Sequence, residues 1–224
     1  IRLCALALVA CRSDAAAPTL SLSPVPPGPI MEQVRAVVAR DSARWVGFRR
    51  DLHRHPELSG AEVETSRKVT EELRRLGFEV RTNVGGYGVV GVLRGARPGP
   101  LVAYRADMDA FPSTAADPVE FASEKPGVRH ICGHDIHTTV GLALANAMHQ
   151  VRDSLAGSVM FVFQPAEEQA TGARAMLAAG VFAREKPTEI YGLHTTSFEV
   201  GRLATAIGTL MAGIDYFDVS VLGS

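Results

Sequence analysis

The stretch Arg129-His-Ile-Cys132-Gly-His134-Asp135-Ile-His137-Thr-Thr gathers one thiol, three imidazoles and a carboxylate into a single short segment. Thiolate and neutral imidazole are good ligands for zinc and neighbouring transition metals, and a carboxylate that fixes an imidazole's tautomer makes it a better one. Cys132 and His134 are therefore candidate ligands, with Asp135 beside them as an orienting group. Their two-residue separation lets both side chains point to one side of an extended segment. The plainer reading is a polar loop that happens to bury a cysteine.

Further acidic and imidazole groups follow apolar runs. Residues 101–104 lead into Arg105-Ala-Asp107-Met-Asp109, residues 159–163 into Gln164-Pro-Ala-Glu167-Glu168, and residues 190–193 into His194. Taken singly, each has an ordinary explanation: two glutamates in a solvated turn, an edge histidine, aspartates that cap a loop. Together they sit where open α/β sheets bind ligands, just beyond the carboxyl ends of strands. With Cys132 and His134 they supply enough donors for two cations and a carboxylate to spare. Adjacent glutamates suit a division of labour, one binding metal and the other acting as general base on an activated water.

The elements that must position these groups are legible from periodicity. Apolar Val34, Val37, Val38, Trp45, Phe48 and Leu52 recur at helical spacing over residues 31–52. Ser59-Gly-Ala-Glu62 has the form of a capping box opening a second helix through Val69, Leu73 and Leu76, ended by Gly77. His53 and His55, at the end of the first helix, read as packing or hydrogen-bonding residues before they read as ligands. Short β-prone runs occupy residues 78–82, 89–93 and 101–104, and a small-residue helix spans 138–151. Residues 158–163 form a continuous apolar run, as in a central strand; 170–179 is a helix closed by Gly180, and 189–193 the next strand. Strands alternating with helices predict an α/β fold with a mostly parallel sheet, flanking helices and right-handed crossovers.

Length and composition leave room for one large domain, or a domain and part of another. The chain has 224 residues with 23 Lys+Arg against 24 Asp+Glu, a formal charge of −1 that offers no electrostatic footprint for nucleic acid. Cysteines occur at 4, 11 and 132 only, which leaves Cys132 free of any disulfide scaffold. Residues 1–11 are a short apolar run read as the end of an export signal; with Ile1 standing first, the charged region before it is expected upstream. Leu8-Val9-Ala10-Cys11 resembles a bacterial lipobox, so an exported, extracytoplasmic location is expected, with membrane anchoring if Cys11 is lipidated. Five prolines between 18 and 29 make residues 12–30 an extended linker, and the folded catalytic part is expected over 31–212.

Five ordered phrases carry a resemblance: Asp51-Leu-His-Arg-His-Pro-Glu-Leu-Ser, Arg105-Ala-Asp-Met-Asp-Ala, Cys132-Gly-His-Asp-Ile-His-Thr, Phe163-Gln-Pro-Ala-Glu-Glu and Gly192-Leu-His. Between about residues 44 and 223 the chain resembles the metallo-amidohydrolases related to carboxypeptidase G. Within them it is most similar to the branch of hippurate hydrolase, N-acyl-amino-acid amidohydrolases and indole-acetyl-amino-acid hydrolases. The resemblance implies a zinc-exopeptidase-like catalytic domain and two divalent metal ions, zinc or else manganese, cobalt or nickel. It implies Cys132, His134, Glu168 and His194 as ligands, Cys132 bridging the ions. Glu167 would be the general base and Asp107 the group that orients the site, in a homodimer that hydrolyses the amide bond of N-acyl amino acids or small peptides.

The chain departs from the pattern at Ser197, where relatives usually carry proline, and near Thr114, where they carry an acidic residue. The resemblance also implies that residues 213–224 begin an inserted lid and dimerisation domain, through a strand at 215–221. A lid histidine and a final ligand histidine would lie beyond Ser224, so the sequence is expected to be a fragment, inactive by itself. A non-catalytic metal-binding lipoprotein, or an inactive truncated paralogue, is the competing expectation. Retention of both Glu167 and Glu168 speaks against it, since a mere metal holder has no need of a base.

Overall fold

The computed structural model describes residues 28–209, of which 28–196 form one compact unit. Cys11, the leader, nearly all of the proline-rich linker and the strand expected at 215–221 lie outside the described residues. Residues 197–209 belong to a second unit and run in turns and irregular backbone, with the Arg202 guanidinium over the Phe198 ring.

Helix α1 (Pro29–Arg54) opens with proline in its first turn, where a missing N–H is harmless. It buries Val37, Trp45 and Leu52, while Val38 is 43 % exposed, so the buried stripe is narrower than the apolar spacing suggested. His53 is buried within its last turn and His55 is its C-cap residue.

Helix α2 (Val63–Arg75) corrects the capping-box expectation. Glu62 is its N-cap residue, but no side chain of the Ser59–Glu62 pair caps it. Ser59 Oγ donates instead to Asp109 Oδ2 at 2.6 Å, and Glu62 Oε1 accepts from the N–H groups of Gly60 and Ala166. The buried Glu57 carboxylate serves as cap, accepting from Glu64 N, Thr65 N and Thr65 Oγ1 at 2.8–3.1 Å. An anion is stabilising there, because the first turn's N–H groups lack intrahelical partners. The helix ends as expected at Gly77: with φ +74°, its N–H donates to Arg74 O and that of Phe78 to Leu73 O, a Schellman closure.

The remaining elements are strands β1 (Glu79–Arg81), β2 (Val89–Arg94), β3 (Arg97–Asp107), β4 (Phe111–Pro112) and β5 (Val128–Arg129), then helix α3 (His134–Gln150) and strand β6 (Ala156–Gln164). Helix α4 (Gly172–Ala178) and strand β7 (Glu189–Gly192) complete the set. The main sheet has the order β1-β2-β6-β3-β7. β3, β6 and β7 are mutually parallel, and β2 runs against β6 and β1, so four of the five strands share one direction. β4 and β5 form a separate two-stranded ribbon. Both faces of the centre are covered, and side chains alternate between them. Val89, Leu93, Ala106, Phe161 and Phe163 pack with α1, α2 and α3; Val90, Val92, Ala103, Met160 and Val162 pack with Met176 of α4. That double burial is why the central strands read as unbroken apolar runs. No helix among the described residues is long and apolar enough to cross a membrane.

Candidate metal centre

Parallel pairing aligns the carboxyl ends of β3 and β6, with Asp107 opposite Gln164, and sets Arg105 of β3 opposite Gly192 of β7. The segments leaving those ends, Met108-Asp109, Pro165-Ala-Glu167-Glu168 and Leu193-His194, therefore emerge side by side. Helix α3 begins at His134, four residues before the periodicity suggested, because its first turn buries polar groups in place of an apolar stripe: His134, Asp135, His137 and Thr138 are all inaccessible. Gly133 precedes it with φ +79°, a conformation that favours glycine.

The ligand-type atoms of Cys132, His134 and Glu168 lie within 4.8 Å of one another, and so do those of Asp107, His134, His137 and His194. The four residues put forward as ligands are thus brought into two overlapping groups that share His134. His134 Nδ1 donates to the Asp109 carbonyl oxygen at 2.8 Å, which leaves Nε2 as the lone-pair nitrogen. Around Nε2 stand Asp107 Oδ2 at 3.7 Å, Glu167 Oε2 at 3.7 Å and Glu168 Oε1 at 3.8 Å. His134 Nε2 and Glu168 Oε1 are buried with no hydrogen-bond partner. Such orphaned atoms cost about 1–3 kcal/mol each unless something satisfies them. A thiol, an imidazole and carboxylates converging on unfilled lone pairs suit a divalent transition metal, so the residues present fit one.

Negative charge gathers at the cluster. Burial, then hydrogen bonding to Glu168 and the charges of Glu168, Glu167 and Asp107, push the Cys132 thiol up to about 12. Burial opposes the His134 imidazolium, but Asp109, Asp107 and Glu168 outweigh it and the net shift is upward. Asp107 is held down at about 2: burial disfavours its charge, and the His137 hydrogen bond and the Arg105 guanidinium more than compensate. Asp109 is likewise lowered, burial being overcome by His134, Ser59 and backbone N–H groups of the glutamate turn. Glu167 moves the other way, raised by burial first and by Asp107 and Glu168. The two glutamates also differ in access, Glu167 being 35 % exposed and Glu168 14 %.

Residues beyond those singled out in the sequence hold this arrangement. Asp107 accepts from His137 Nδ1 at 2.5 Å and pairs with Arg105 Nη1 at 2.7 Å, while Arg105 Nε donates to Gln164 Oε1. The glutamate turn is fixed by Glu62 on Ala166 N and by Asp109 Oδ2 on Glu168 N. Ala166, immediately before the pair, has φ +49°, which for a non-glycine residue stores about 1–3 kcal/mol of strain. Asp135, expected to orient the cluster, is engaged elsewhere: its Oδ2 accepts from His53 Nδ1 at 2.8 Å and pairs with Arg49 Nε at 2.7 Å, and His53 Nε2 meets Asp117. His55 bonds the Asp51 carbonyl, so neither helix-end histidine joins the cluster. His137 was within reach of sequence reasoning, since it follows His134 at a spacing that shares a helix face.

The sequence profile of Peptidase family M20/M25/M40 matches residues 103–220. The N-acetylcysteine deacetylase of Bacillus subtilis is 40 % identical over 187 residues, covering 80 % of this chain and 47 % of the relative. The N-acyl-L-amino acid amidohydrolase of Geobacillus stearothermophilus is 38 % identical over 194 residues, covering 86 % and 52 %. The chain thus spans about half the length of the curated relatives it matches. Among solved structures, a dinuclear metal binding peptidase of the M20 family from Bacillus subtilis superposes with a TM-score of 0.66 at 41 % identity, over 70 % of this chain and 44 % of that one. A profile match over more than half of the sequence, falling on the strand ends that carry the ligand cluster, makes this chain a member of peptidase family M20/M25/M40.

Proposed function

We propose that the protein containing this chain is a metal-dependent amidohydrolase that cleaves the amide bond of N-acyl amino acids or small peptides. One observation carries the reading: unpaired ligand atoms of His134 and Glu168 converge with the Cys132 thiol, and a second, more exposed carboxylate, Glu167, stands over the same nitrogen. The relatives' names, a deacetylase and an N-acyl amino acid amidohydrolase, support the substrate class.

Two divalent ions held by Cys132, His134, Glu168 and His194 would supply Lewis acidity toward the amide carbonyl and acidify the attacking water. Zinc suits the thiolate and imidazoles, and manganese, cobalt or nickel are the other candidates. Glu167 accepts the water proton as the water attacks, then returns it to the nitrogen of the leaving amine. Its upward-shifted carboxyl group suits both halves of that task. Asp107 keeps the surrounding imidazoles oriented through His137. The protein is further proposed to work as a homodimer, as the family resemblance implies, and, on the strength of its leader sequence, to be exported with Cys11 as a lipid anchor.

The test is turnover of a panel of N-acyl amino acids by the intact protein, stripped of metal and re-supplied with Zn, Mn or Co. Glu167→Gln is expected to lower kcat by roughly 10²–10⁴-fold while metal content stays unchanged. Undiminished turnover in that variant would remove Glu167 from the role of base; no turnover with any of the metals would count against the activity itself.

A further inference from the structure

Thr195 is the residue after His194, and it reaches across to the segment that carries Cys132 and His134. Its N–H donates to His137 Nε2 at 2.8 Å and its hydroxyl donates to the Cys132 carbonyl oxygen at 2.9 Å. Its own carbonyl accepts from His194 Nδ1 at 2.6 Å. The approach is close enough to constrain the facing backbone: a Cβ on Gly133 would come within 2.3 Å of Thr195 Oγ1.

These bonds sort the three imidazoles of the cluster. His194, with Nδ1–H committed to a carbonyl, keeps Nε2 as a lone pair, just as His134 does. His137 differs. Its Nδ1–H is given to Asp107, and its Nε2 lone pair is already taken by the Thr195 amide. It packs against His194 with ring centroids 4.6 Å apart, close to the cluster but with no free donor atom to offer a cation. Meanwhile the Thr195 hydroxyl ties the chain leaving β7 directly to the residue that bears the thiol. Nothing else among the described hydrogen bonds joins the 193–196 segment to the Cys132–Gly133 backbone.

We propose that Thr195, braced by His137, is a latch that fixes the separation of the metal ligands Cys132 and His194, so that His137 is a positioning residue and not a ligand. This rests on the reading of the cluster as a metal centre. Groups that hold a ligand without touching the ion typically change metal affinity by about 10–100-fold when removed.

The test uses the intact protein, stripped of metal and titrated with Co²⁺, whose absorption reports both thiolate ligation and coordination geometry. Thr195→Val keeps the side chain's shape and deletes only the hydroxyl. It is expected to weaken cobalt binding about tenfold and to alter the visible spectrum. Thr195→Ser, which restores the hydroxyl, should bind within about twofold of the parent, the range left once the hydrogen bond is retained. His137→Gln should bind more weakly yet reach the same number of ions per chain at saturating cobalt. The latch is overturned if Thr195→Val titrates like the parent, or if the valine and serine variants lose affinity equally. Loss of one bound ion in His137→Gln would make that histidine a ligand and overturn its assignment. A parent protein that binds no cobalt would defeat the metal-centre reading together with the latch, whereas an unchanged Thr195→Val titration defeats the latch alone.

Discussion

Two histidines beside the Cys132–His134 segment show burial and pairing pulling in opposite directions. His130 is buried with neither ring nitrogen hydrogen-bonded, and burial pushes it down to about 4. His53, 6.3 Å from it between ring centroids, is raised because its hydrogen bond to Asp135 outweighs desolvation. The signs therefore differ. A histidine with a depressed folded pKa contributes stability that is present above its ordinary pKa of about 6.5 and declines as pH falls toward the folded value. One with a raised pKa contributes stability below the ordinary value and loses it as pH rises. Comparison with His130→Phe isolates the first effect. In urea unfolding of metal-free protein, the parent should lose stability relative to the variant between pH 6.5 and 4, by on the order of 3 kcal/mol in total, and the gap should then level off. Parallel stability curves for the two proteins across that range would mean that His130 titrates normally.

At the scale of elements, the loop between α1 and α2 does more than connect them, because its acidic residues replace local capping by long-range pairing. Glu57 holds the first turn of α2 through three hydrogen bonds. Glu57→Ala should lower stability by about 2–3 kcal/mol, more than an ordinary cap deletion because charged hydrogen bonds to buried groups are lost. Thermal melts would show it, and a change under about 0.5 kcal/mol, typical of a neutral surface site, would mean that the turn caps itself. The sequence signal pointed to Ser59 and Glu62 because a capping box is defined by spacing along the chain. What diverts them is the approach of Asp109 and Ala166, tens of residues away, which no local pattern encodes. The same division runs through the whole reading. β2, β6 and the middle of β3 were legible because burial on both faces leaves an apolar run. The start of α3 was not, because His134 and His137 occupy buried positions that periodicity reserves for apolar residues. Ligand types at strand ends were visible as residue identities. Asp109, Arg105 and Thr195 were not visible as supports, since each acts through a backbone or side-chain group that only tertiary pairing brings near.

Across the whole molecule the formal charge is −1, yet the carboxyl groups of Asp107, Asp109, Glu167 and Glu168 crowd one end of the sheet around His134. Arg105 offsets only part of that, being committed to Asp107 and Gln164. A fold that concentrates acidic groups in this way has given up stability in its metal-free form, and a cation that binds only the folded state returns it. At a free metal concentration of 100 times Kd the gain is about 2.7 kcal/mol. For a chain of this size that corresponds to a rise in Tm of roughly 5–10 °C. Chelation should therefore lower Tm by that amount. Zinc or cobalt should restore it, and magnesium should not, because thiolate and imidazole are poor donors for a hard cation. Glu168→Ala separates the two contributions. Without metal the variant should be at least as stable as the parent, since an unpaired buried carboxylate oxygen is gone, while zinc should raise its Tm far less. If metal-free Glu168→Ala were clearly less stable than the metal-free parent, Glu168 would be holding the fold through protein contacts, and the acidic cluster would owe its place to packing and not to a cation.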